Sequence, residues 1–271
     1  MSYLKLFPRV VFVLLILTLT RTGAAVEVQW LGHAAFKITT NSGKVILIDP
    51  FITNNPKTPK EHKDLAKLGK VDLILITHGH GDHIGDSAKI SEMTGAKVAL
   101  NADMGHTFGT LGIIPYERLI RFNKGGPIQP LGEGISITMV RAEHSSEVVY
   151  KDPDTGKKSV HPGGAPAGYI ITDENGFTIY HAGDTDAFTD MEYIRDFYHP
   201  DLALLPIGGH FTMDPAHAAY AVREFLHPKF VIPMHFQTFK LIKGSPETFK
   251  KELGDMGERM ILMQPGETRK F

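Results

Sequence analysis

Four apolar residues, Leu73-Ile74-Leu75-Ile76, lead through Thr77 into His78-Gly79-His80-Gly81-Asp82-His83. The run shows no polar alternation, so it reads as a strand covered on both faces. Four side chains able to bind a metal leave its carboxyl end within six residues. The intervening glycines lack Cβ atoms and are expected to let the backbone bend until these side chains converge. Three neutral imidazoles and a carboxylate suit zinc or another first-row divalent ion.

Later candidates recur at the same kind of place. His144 follows Ile135-Ser136-Ile137-Thr138-Met139-Val140, Asp184 follows Phe177-Thr178-Ile179-Tyr180 within His181-Ala182-Gly183-Asp184-Thr185, and His235 follows Phe230-Val231-Ile232-Pro233-Met234. Each stands just beyond a strand, where loops build sites. The chain of 271 residues contains no cysteine, which confines any metal site to imidazole and carboxylate donors.

Strands are expected over Val26 to Thr39, Lys44 to Asp49, Val71 to Thr77, Lys97 to Asn101, Gly134 to Ala142, Ala167 to Thr172, Phe177 to His181, Leu202 to Pro206, Phe230 to Met234 and Met260 to Met263. Helices are expected over Ser87 to Thr94, Asp190 to Tyr198, Pro215 to Leu226 and Pro246 to Met256. Asp173 to Gly176 reads as a hairpin loop, and Lys151 to Pro166, rich in Gly and Pro, as an exposed loop. Strands alternating with helices predict an α/β protein with helices packed outside sheets.

Lys5 and Arg9 precede an apolar run, Val10 to Leu19, followed by Thr22, Gly23, Ala24 and Ala25. This is the pattern of a signal peptide over residues 1–25, with residues 26–271 as the functional domain and export to the periplasm or medium as the expectation. The run has about half the ~20 apolar residues a spanning helix needs, so no stable membrane span is expected after cleavage; an uncleaved N-terminal anchor is the alternative. Lys plus Arg number 29 against 30 for Asp plus Glu, which gives no bulk electrostatic reason to expect nucleic acid as partner.

The chain resembles the metallo-β-lactamase superfamily, whose motif is His-x-His-x-Asp-His followed by separated His, Asp and His. The segments Gly32-His33, Ile48-Asp49-Pro50-Phe51, Thr77 to Asp86, His181 to Thr185, Leu205 to Gly209 and Pro233-Met234-His235 resemble its metal-dependent hydrolase branch, which is similar to the ascorbate 6-phosphate lactonases. The resemblance implies a four-layer αββα sandwich. It implies two divalent metals, zinc first with manganese or iron also accepted: His78, His80 and His144 around one, Asp82, His83 and His235 around the other, and Asp184 between them. A water activated by the pair would then attack a small ester, lactone, amide or phosphodiester.

Asp82 is the candidate for orienting that water or moving a proton. His33 and His210 are candidates to protonate a leaving group or contact substrate, and His181 is weighed beside them. Asp49 is expected either to bond the free ring nitrogen of a metal-bound histidine or to be a turn residue before Pro50. Met213, Met234, Phe211 and Phe236 are candidates for the pocket wall. A binding protein without turnover and a nuclease of the same fold are the competing readings.

Overall fold

The computed structural model describes residues 25–271, so the signal-peptide segment lies outside the described residues apart from Ala25. Among those described, no helix is long and apolar enough to cross a membrane.

Two sheets stack face to face. The first has seven strands in the order β14-β1-β2-β3-β4-β5-β6: β1 (Glu27–Gly32), β2 (Ala35–Thr39), β3 (Val45–Ile48), β4 (Leu73–Leu75), β5 (Lys97–Asn101), β6 (Leu119–Phe122) and β14 (Thr268–Lys270). The second has five in the order β13-β12-β11-β10-β7: β7 (Ser136–Arg141), β10 (Ala167–Thr172), β11 (Thr178–His181), β12 (Leu202–Pro206) and β13 (Phe230–Met234). A hairpin of β8 (Glu147–Lys151) and β9 (Lys158–Pro162) stands apart from both.

The period of two in the strands assigns each side chain its layer. Leu73 and Leu75 point between the sheets with Phe36, Ile46, Ile48, Tyr169, Leu204 and Ile232. Ile74 and Ile76 point outward, where Val98, Ile90, Met104 and Phe108 cover them. On the other side Ala203, Leu205 and Val231 meet Met191, Val222, Phe249 and Leu253. Helices therefore flank both sheets and give the expected αββα sandwich. Across the middle, Tyr169 donates its hydroxyl to the Ile76 carbonyl at 2.7 Å.

Helices α1 (Gly81–Ile84), α2 (Ser87–Thr94) and α3 (Ala102–Thr110) belong to the first half, and α4 (191–198), α5 (215–226) and α6 (Pro246–Leu253) to the second. Asp214 caps α5 by accepting from the Ala216 and His217 amides, with Pro215 in the first turn as its fixed φ favours. The Asp173–Gly176 loop joins β10 and β11 antiparallel as expected.

Four readings need correction. Val26 to Thr39 is two strands, because Gly32 (φ 101°) and His33 (φ 58°) turn the chain. Lys151 to Pro166 contains β9, paired with β8 from Glu147↔Pro162 to Lys151↔Lys158; the lysines hid its alternation. Helix α3 and strand β6 were missed, the former because Gly105 and Gly109 interrupt its apolar pattern. Met260 to Met263 forms only an isolated bridge, Val231↔Met260.

Candidate metal centre

The carboxyl ends of β3, β4, β7, β11 and β13 converge with the β1–β2 turn at one edge of the sandwich. His78, His80 and His144 form one group whose donor atoms lie within 4.8 Å of one another. Asp82, His83 and His235, joined by His33, form a second. Asp184 stands between: its Oδ2 is 3.1 Å from His235 Nε2, 3.3 Å from His83 Nε2 and 3.6 Å from His144 Nε2. All seven residues are brought together, and a third grouping of His78, His83 and Asp184 links the other two. His62, His106, His161, His199, His217 and His227 belong to neither.

The donor set fits a metal. His83 Nε2, both ring nitrogens of His235 and Asp184 Oδ1 are buried with no hydrogen-bond partner, a costly arrangement unless something coordinates them. The supporting contacts leave the right atoms free. His83 Nδ1 bonds Asp49 Oδ2 at 2.7 Å, which turns Nε2 toward Asp184. His80 directs Nδ1 at the first group and Nε2 at Glu147 Oε2, 3.1 Å away.

The charges are strongly coupled. Burial opposes ionisation of Asp184, yet His235 and His83 outweigh it and hold the carboxyl well below the usual range. Asp82 is likewise held low, against burial, by the His33 hydrogen bond and the His83 charge. Burial also opposes protonation of His83, but Asp184 and Asp49 outweigh it and raise its pKa well above normal. Burial, with His83 next, keeps His78 well below its normal value, and burial lowers His144. The cluster thus offers ionised carboxylates at Asp82 and Asp184 and neutral imidazoles at His78 and His144, whereas His83 must give up a proton before it can bind a divalent ion.

Asp49 is more than a turn residue. Besides His83 it accepts from the Thr77 amide at 2.8 Å and the Thr77 hydroxyl at 2.6 Å, and it is fully buried. His33 approaches from behind the cleft: fully buried, it bonds Asp82 Oδ2 at 3.0 Å and Thr238 Oγ1 at 2.9 Å. Burial and the His235 charge lower its pKa to about 4, so it is a neutral group that orients Asp82. His210 is exposed with its ring against Phe211, and Phe211 is the one that lines the cleft. His181 is buried, its Nε2–H donating to the Ala34 carbonyl and its Nδ1 accepting from the Gly183 amide, a packing role.

The cleft, about 360 Å³, is lined by His80, Asp82, His144, Asp184 and His235, with Ser145, Glu147 and Phe211 at the mouth. Met213 and Met234 are core residues, and Phe236 faces a different depression beside Trp30. Sequence reasoning missed Glu147. Its place three residues past His144 was visible, but its meeting with His80 depends on β8 turning back over the motif loop.

The glycines of that loop act differently from expectation, since neither has positive φ. A Cβ on Gly79 would meet the Glu147 carbonyl oxygen at 2.7 Å, whereas one on Gly81 would meet nothing within 4 Å. Gly79 is there for the close approach of β8, not for a bend.

Residues 44–236 match the family model of the beta-lactamase superfamily domain. The chain belongs to the metallo-β-lactamase superfamily. It is 53% identical over 245 residues to a UPF0173 metal-dependent hydrolase of Polaromonas sp. strain JS666, covering 90% of this chain and 89% of that protein. It is 41% identical over 269 residues to another from Thermodesulfovibrio yellowstonii, covering 97% and 99%. Among solved structures, the metallo hydrolase Igni18 of Ignicoccus hospitalis superposes with a TM-score of 0.78 at 38% identity, covering 91% of this chain and 98% of that one. This superfamily member is a metal-dependent hydrolase.

Proposed function

We propose that the enzyme uses two divalent metal ions, zinc in the first instance, to hydrolyse a small ester, lactone, amide or phosphodiester. The observation that carries the reading is the gathering of the donor groups around Asp184, with buried donor atoms that have no hydrogen-bond partner among the described residues. His78, His80 and His144 would hold one ion, Asp82, His83 and His235 the other, and Asp184 both. When bound, such a pair lowers the pKa of a water toward ~7 and polarises the oxygen under attack.

The protein's own groups do the positioning. Asp49 fixes the His83 tautomer, Glu147 holds His80, and His33 sets the orientation of Asp82. Asp82, which lines the cleft with Glu147 and Asp184, would accept a proton from the attacking water. The absence of lysine and arginine among the described residues lining the cleft favours the uncharged substrates in this group over the phosphodiester. Export rests on the N-terminal sequence alone and is part of this proposal.

The test is metal analysis of purified protein followed by a screen with esters, lactones, amides, phosphodiesters and a β-lactam. Two equivalents of metal and chelator-sensitive turnover are expected, with His80→Ala folded and inactive. Full activity in that variant, or a protein that retains no metal, overturns the proposal.

A further inference from the structure

The β8–β9 hairpin joins the metal cleft to an apolar surface. Val148 is buried in the core with Met104 and Phe108, so by strand alternation Glu147, Val149 and Lys151 face the opposite way. The register adds their cross-strand partners Pro162, Val160 and Lys158 to the same face. Glu147 lines the cleft and bonds His80. The face therefore begins at the metal centre, continues over Val149 and Val160, and ends at two lysines.

The valines are 58% and 68% exposed, and Phe211 on the cleft wall is 55% exposed. Such apolar groups, contiguous with a reaction centre, mark a binding surface more than scattered surface residues do. The hairpin's base is firmly held: Gly79 N donates to Ser146 Oγ, Asn101 Nδ2 to the Gly163 carbonyl, and Thr107 Oγ1 to the Pro162 carbonyl. At a rise of about 3.3 Å per residue, the valine pair lies roughly 7 Å beyond Glu147 and the lysines roughly 13 Å.

We propose that this face is a platform for the tail of the substrate, which is a neutral ester or amide bearing an unbranched apolar chain. The inference rests on the hydrolase reading and names its substrate class. The scissile group sits at the metals while the chain passes Glu147 and lies across Val149 and Val160. An anionic tail is disfavoured by Glu147, whose carboxylate stands at the start of the path. The lysines bound the apolar stretch, so the gain from a longer chain levels off when it reaches them.

The experiment uses the full metal-loaded enzyme with neutral esters lengthened on either the acyl or the alcohol side. On one side, kcat/KM is expected to rise roughly three- to fourfold per methylene and then level off. The long-to-short ratio should collapse in Val149→Ser/Val160→Ser. Saturation-transfer NMR with N-hexylacetamide, which needs no turnover, should show transfer to the hexyl protons that the double variant loses. A flat series on both sides, or transfer unchanged in the variant, overturns the platform. A concentration-dependent dimer abolished by the double variant also overturns it, since the valines would then belong to a second copy. Failure to hydrolyse any ester, lactone, amide or phosphodiester at full metal occupancy overturns the proposed function, and the NMR arm still judges the hairpin.

Discussion

Asp49 Oδ2 and His83 Nδ1 lie 2.7 Å apart, both residues fully buried. Because Asp49 also holds the Thr77 amide and hydroxyl, one carboxylate couples the end of β4 to the His83 ring in α1. Asp49→Asn keeps an acceptor for Thr77 but presents the wrong polarity to His83. Metal affinity is expected to fall about 10- to 100-fold, measured by chelator competition, while the circular dichroism spectrum is retained. Unaltered affinity would assign Asp49 to folding alone.

The two motif glycines should separate cleanly. Gly79→Ala drives a Cβ into the Glu147 backbone and is expected to cost about 1–3 kcal/mol, a fall in Tm of several degrees. Gly81→Ala has open space and ordinary φ, so it should be neutral or raise stability by about 0.4–1 kcal/mol. Thermal unfolding of the pair, in chelator to remove metal effects, decides. Equal losses would show that backbone freedom, not proximity to β8, sets the requirement.

His181 should give the folded state an acid-side weakness. Burial lowers its pKa below the ordinary imidazole value of 6.5, so the unfolded chain takes up a proton more readily. The stability from keeping it neutral is complete above about pH 6.5 and is lost as pH falls through and below that value. Its share of the slope approaches ~1.4 kcal/mol per pH unit. Denaturant unfolding from pH 7.5 to 5 should be less steep in pH for His181→Gln than for the parent. Parallel profiles would remove His181 from the account.

Metal removal should be felt by the whole fold. With His83, His235 and Asp184 carrying buried atoms that have no hydrogen-bond partner among the described residues, chelation is expected to lower Tm, and zinc to restore it. Calorimetric scans at graded zinc would show Tm rising with the logarithm of free zinc above Kd; a Tm indifferent to chelator would contradict it.

Much of this was readable before the structure. Strand β4 has apolar residues on both faces, metal-competent residues sit just past the carboxyl ends of β4, β7, β11 and β13, and the family resemblance supplied the layered architecture. Harder to see was anything set by the meeting of distant segments. Glu147 acquires its role from β8 crossing the motif loop, and His33 its buried place from an unusual backbone turn after Gly32. The purpose of Gly79 was misread for the same reason: spacing along the chain does not reveal which carbonyl will lie beside it.

The proposed ligands are divided between the two sheets. His78, His80, Asp82 and His83 come from the end of β4 in the first, and His144, Asp184 and His235 from β7, β11 and β13 in the second. Ions held at this edge would act as rivets through the sandwich, so substitutions in its filling, far from any substrate, would loosen or tighten their grip. The hairpin carries none of these residues, so changes on its outer face would leave the riveted edge untouched.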